Sequence, residues 1–160
     1  MSADPPWLAA ARRNIGERET LAPNDSPWLR RMWARLSGSW LLGQPWCGGA
    51  LAYWMAEAGL PYPRTYYRAR DWASWGVALA VPLYGCVVVL ERRGGGHVGI
   101  VVGRTARGEL LVLGGNQGNE VNVRAFRVER VLGYRWPMGV PLPLNQALPI
   151  GEAPATTGEA

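Results

Sequence analysis

Along the first half of the chain apolar residues recur every three or four positions; along the second half they run together in short blocks separated by turn residues. The stretch PPWLAAARRNI puts Trp7, Leu8, Ala11 and Ile15 on one helical stripe, with proline just ahead of the first turn. In NDSPWLRRMWARL, Asp25 or Ser26 can cap a helix that starts at Pro27 and carries Trp28, Leu29, Met32, Trp33 and Leu36 on one side. The third pattern, CGGALAYWMAEAGLP, predicts a helix from Cys47 to a stop at Gly59, with Pro61 just beyond and a stripe of Cys47, Ala50, Leu51, Trp54 and Ala58. A shorter helix is expected over RARDWASWG.

After residue 84 the period changes. GCVVVLE, HVGIVVG, ELLVLGG, EVNVRAF and VLGYRW are short and rich in Val, Leu and Ile, and RRGGG, TARG and GNQGN supply the turns between most of them. Helices followed by an antiparallel meander predict an α+β domain: N-terminal helices packed on one face of a C-terminal antiparallel sheet of about five strands. Residues 1–137 read as that domain. Residues 138–160, with Pro141, Pro143, Pro149 and Pro154 and little periodicity, read as a Pro-rich mobile tail.

Composition changes this picture in few places. A chain of 160 residues suffices for one domain with a real core. Nine Trp against one Phe suggests indoles on a groove or surface as well as in the core. The net charge is +5, and all 17 basic residues are arginine, as a GC-rich coding sequence alone would give. A basic surface favours an anionic partner such as a cell wall. The arginines are scattered and fit no nucleic-acid motif, so no nucleic-acid partner is expected. Two cysteines do not make a disulfide framework. The N-terminal residues lack the apolar core of a signal peptide, and no apolar run approaches a membrane span. The expectation is synthesis in the cytoplasm without membrane insertion, with delivery to any outside target by another route.

Candidate chemistry centres on Cys47, which stands where a loop becomes a helix. There, unpaired N–H groups and the helix dipole favour a thiolate. The single histidine, His97, opens a strand. If HVGIVVG and ELLVLGGN form a hairpin closed by Thr105 to Gly108, Arg104 faces Glu109 and His97 faces Asn116. Gly99 and Gly114 share that face and would let a helix approach closely, with Gly48 and Gly49 easing Cys47 toward it. A thiol, an imidazole and an amide so arranged are the parts of a cysteine hydrolase: Cys47 as nucleophile, His97 as base, Asn116 holding the ring. Backbone N–H groups at the helix start would stabilise the oxyanion. Trp46, Trp75 and Gln117 are candidates for the substrate groove. Gln44, three residues before the cysteine with proline between, fits poorly as an oxyanion donor. No cofactor is expected: RRGGGH leads into a strand and offers no helix N-terminus to a phosphate, and Cys47, Cys86 and His97 lack metal-ligand spacing.

The segments PWCGGALAYWMAEAGL, YGCVVVLERRGGGHVGIVVG, LVLGGNQGNEVNV and VLGYRWP together resemble the CHAP/NlpC-type cysteine peptidoglycan hydrolases of the papain-like superfamily, in particular a small phage- and prophage-associated branch. The resemblance runs from about Trp7 to Pro137. It implies a papain-like fold, peptidoglycan as partner, and Cys47, His97 and Asn116 as catalytic residues of an amidase or endopeptidase. It also implies action as a phage lysin reaching the wall through a holin, or as a virion or tail component. Many relatives carry Glu two residues before the Asn, where this chain has Gly114, which leaves a Cys-His-Asn triad; many have Gly-Asp where this chain has Gly85 and Cys86, so Cys86 reads as a packed strand residue. A wall-binding module without turnover, and a cysteine protease acting on proteins, are the alternative readings.

Overall fold

A computed structural model describes residues 4–145 and 147–156. Helix α1 spans Pro6–Arg13 and buries Trp7, Leu8, Ala10 and Ala11. It ends before the fourth expected stripe residue, so Ile15 stays 48% exposed. Helix α2 spans Pro27–Arg35; the Ser26 side chain caps it by accepting from the Leu29 N–H at 3.0 Å. Helix α3 spans Cys47–Glu57. Past it, Gly59 takes the left-handed φ of 73° that ends the helix, as the sequence predicts. The expected short helix is a 3-10 turn over Ala69–Ser74.

Six strands follow: β1 Val77–Leu79, β2 Val87–Arg92, β3 Gly95–Arg104, β4 Leu110–Gly114, β5 Asn122–Phe126 and β6 Val131–Trp136. They form one sheet in the order β1-β6-β2-β3-β4-β5, every neighbouring pair antiparallel. The fold is α+β, as expected, with β1 added at one edge. Three residues, two of them exposed, give β1 too little pattern to be seen in sequence. Between β3 and β4 the register shifts at Val101/Gly103, so Arg104 pairs with Leu110 rather than Glu109. That bulge restores the predicted register on the far side, where Ile100 faces Leu113.

Helix α3 packs against β3 and β4, and α1 and α2 pack on α3. Seven of the nine tryptophans are buried, five of them completely. Most buried indole N–H groups find an oxygen: Trp7 donates to the Gly85 carbonyl at 2.8 Å, Trp72 to the Tyr66 carbonyl at 2.9 Å and Trp54 to Asn14 Oδ1 at 2.9 Å. The expectation of indoles on a groove or surface reduces to Trp40, which is 70% exposed, and the half-buried Trp75.

The chain after Trp136 has backbone partners. The Arg104 N–H donates to the Pro149 carbonyl and the Gly151 N–H donates back to Arg104, at 2.9 and 3.0 Å. The Ala125 N–H donates to Pro154 and the Thr156 N–H to Ala125, at 2.9 and 3.1 Å. Residues 149–156 therefore lie along the end of β3 and beside β5, where backbone pairing needs no side-chain period. Gln146 and residues 157–160 of the expected tail lie outside the described residues.

Candidate active site

Cys47 is the first residue of α3, and the side chain of the N-cap residue, Trp46, makes no capping hydrogen bond. The two glycines after it set the helix against its neighbours, though not against the sheet as expected. A Cβ on Gly48 would strike the Tyr66 carbonyl, and one on Gly49 would come within 2.6 Å of the Trp33 ring. The sheet approaches at Gly115 instead, where a Cβ would lie 2.7 Å from Ala50 Cβ and 2.8 Å from the Trp46 ring.

The thiol lies against β3, and the Val98 N–H, next along the chain from His97, is among its hydrogen-bond donors. Burial pushes the Cys47 thiol up from its ordinary range. The N–H groups of Val98, Gly48 and Cys47 itself and the charge of Arg92 act in the opposite direction. The thiol is thus less easily ionised than its place at a helix start predicts: the helix start acts as expected, but burial outweighs it. Neither cysteine is in a disulfide, and Cys86, completely buried, is pushed up to about 12 by burial.

His97 is completely buried and stacks on Phe126 with ring centres 5.4 Å apart. The amide that meets it is not the expected one. Gln117 Oε1 lies 2.9 Å from His97 Nε2, while Asn116, although buried, has neither side-chain Oδ1 nor Nδ2 hydrogen-bonded. The reason is local. Strand β4 ends at Gly114, and Asn116 takes a left-handed φ of 59°, which breaks the alternation and carries the next side chain back under the sheet. The space it enters is free because residue 114 has no side chain: a Cβ there would strike Gln117 Oε1 and sit 3.4 Å from His97 Nε2.

The orientation of Gln117 fixes that of the imidazole. Its Nε2 donates to the Val112 carbonyl at 3.1 Å and the Asn122 carbonyl at 2.9 Å, with Asn122 Oδ1 also 3.1 Å away. Backbone carbonyls only accept, so the amide nitrogen must face them and the oxygen must face His97. That oxygen accepts, so Nε2 carries the hydrogen and, in the neutral ring, Nδ1 is the basic nitrogen. Asn122 completes the layer by donating from Nδ2 to the Gln117 carbonyl at 2.8 Å and to Glu120 Oε1 at 2.7 Å.

Cys47 opens onto a groove of about 600 Å³, walled by Trp40, Gln44, Tyr67, Arg70, Arg92 and Gly96 among others. The substrate-lining candidates fare differently. Trp46 is completely buried, its N–H 3.1 Å from Glu19 Oε2, and Gln117 is completely buried in the hydrogen-bonded layer under β4. Trp75 packs on Trp72 and donates to the Pro61 carbonyl, away from the groove. Gln44, set aside on sequence grounds, does line the groove with Cys47. The arginines there carry no periodic signal, because they come from the 3-10 turn and from the end of β2. Among the described residues no three His, Cys, Asp or Glu side chains are grouped to hold a metal, and no helix is long and apolar enough to cross a membrane.

Comparison with known proteins adds one result. The family model of the CHAP domain matches residues 39–116, a range that contains Cys47 and His97 and ends at Asn116, one residue short of Gln117. No curated protein and no solved structure matches the chain. The match begins just ahead of α3 and closes just past β4, the two elements that carry the thiol and lead into the amide, so over residues 39–116 the chain is similar to the CHAP domain.

Proposed function

We propose that this protein is a peptidoglycan hydrolase that cuts an amide bond of the bacterial wall through a thioester on Cys47, with His97 as base and Gln117 as its positioning residue. The observation that carries the reading is the fixed tautomer: Gln117 Oε1 at 2.9 Å from Nε2 leaves Nδ1 to take a proton, on a ring one residue from the strand position that meets the thiol. His97 Nδ1 takes the proton from Cys47 Sγ, and the thiolate attacks the amide carbonyl carbon. The oxyanion is met by N–H groups at the start of α3, with Gln44 at the groove wall as a side-chain donor. The imidazolium returns the proton to the leaving nitrogen as the C–N bond breaks. A water deprotonated by His97 then hydrolyses the thioester, releasing the carboxylate and restoring the thiol.

The resemblance to the phage-associated branch supports a role for this activity in lysis through a holin or in a virion. Digestion of purified peptidoglycan followed by mass spectrometry tests the reading. Sugar chains free of peptide identify an amidase, and new peptide termini still joined to sugar identify an endopeptidase. Cys47→Ala should fold and release neither. An intact wall after treatment with active-thiol protein would refute the proposal and favour a binding module, and casein digestion in its place would favour a protease of proteins.

A further inference from the structure

We infer that the groove beside Cys47 selects peptides by their free carboxylates, with Arg70 and Arg92 as the recognising pair; that the ligand is a wall peptide rests on the hydrolase reading above. The two guanidiniums are tied at the same end. Arg70 Nε donates to the Gly95 carbonyl at 2.9 Å and Arg92 Nε to the Gly96 carbonyl at 3.4 Å. These are the two residues immediately before His97, so both arginines are anchored to the backbone that carries the imidazole. With Nε engaged, the terminal Nη groups remain to fork onto a carboxylate, the geometry arginine offers and lysine does not.

Among the described residues no ion pair takes Arg68, Arg70 or Arg92. The one acid on the groove wall, Asp71, accepts from the Thr65 hydroxyl. The glycines of the RRGGGH segment serve this seat: a Cβ on Gly96 would come within 2.9 Å of Arg70 Cγ. Trp40, 70% exposed and edge-on to Tyr67 at 5.3 Å, gives the same groove an apolar wall. A cleft of about 600 Å³ with clustered cations and an aromatic wall, opening on the thiol, suits a short peptide whose carboxylates flank the amide to be cut.

The test uses the full chain carrying Cys47→Ala and two probes: a wall tetrapeptide with its side-chain and terminal carboxylates free, and the same peptide with them converted to primary amides. Calorimetry should show the free-acid peptide binding about tenfold more tightly, with that advantage shrinking as salt is raised. Arg70→Gln and Arg92→Gln, confirmed folded by thermal melting, should each bring the two affinities closer together. Equal affinity for both peptides, or binding of neither, overturns the inference with no arginine variant needed. The hydrolase reading is judged separately by wall digestion: an undigested wall beside a clear preference for the acid would sink that reading and leave the carboxylate seat standing.

Discussion

Asn116 and Gln117 differ by one methylene, and only Gln117 reaches the imidazole. Gln117→Ala should lower kcat/KM by about 10- to 100-fold, the usual cost of losing a group that orients a catalytic one. Asn116→Gly, which suits the φ of 59°, should leave it within a few-fold. The reverse order of losses in steady-state assays would return the orienting role to Asn116. Gln117→Glu carries a further signature. A carboxylate beside Nε2 stabilises the imidazolium, the ring stays protonated to higher pH, and the acid limb of the pH–rate profile should move up. The thiols provide a second residue-scale test. Burial pushes Cys86 up to about 12, so at pH 8 its thiolate fraction is on the order of one in ten thousand. Cys47 is also raised, but it borders the groove and has three N–H groups and Arg92 opposing the shift. Iodoacetamide should therefore modify Cys47 first, faster as pH rises, with activity falling in step. Arg92→Gln removes a cation that favours the thiolate and should shift the labelling curve to higher pH. Peptide mapping that finds Cys86 modified first would make Cys47 a packing residue.

At the scale of elements, the site depends on how closely α3 meets its neighbours. A methyl at position 49 would sit 2.6 Å from the Trp33 ring, and one at 115 would sit 2.7 Å from Ala50 Cβ. Neither neighbour is the free end of a flexible chain, so Gly49→Ala and Gly115→Ala should each cost about 1–3 kcal/mol of stability in denaturant titrations. Their effects on turnover should differ. Gly49 faces α2, whereas Gly115 sets the distance from α3 to the turn that carries Gln117, so Gly115→Ala should lose activity even at temperatures where it is fully folded. Equal activity for the two folded variants would show that the site tolerates a shift of α3 against the end of β4. The helix patterns were legible because each stripe is a local, periodic property, and Ser26, Pro27 and Gly59 mark ends by chemistry that operates within a few residues. Ile15 and β1 were misread or missed because nothing local distinguishes an apolar residue just past a helix end, or a three-residue edge strand.

At the scale of the whole molecule, the end of the chain is tied to the sheet by backbone hydrogen bonds to β3 and β5, and Leu148 packs on the core. Deleting residues 141–160 should therefore destabilise the protein by about 1–3 kcal/mol, a drop of several degrees in Tm. The Cys47 groove lies apart from these contacts, and activity measured well below Tm should be retained. An unchanged melting temperature would show that the terminal pairing contributes nothing. The sequence alone determined the α+β class, the placing of Cys47 at a helix start and of His97 on a neighbouring strand, and the β3–β4 register at Ile100 and Leu113, because those follow from period, caps and turn chemistry. Tertiary structure decided which amide holds the imidazole, because one left-handed residue after β4 and the missing side chain at Gly114 redirect Gln117 into a space that no pairing rule reveals. It also gathered Arg70 and Arg92 at the groove from segments 22 residues apart and tied each to a glycine carbonyl. Such meetings depend on how the chain closes on itself in three dimensions, and a pattern read along one dimension does not contain them.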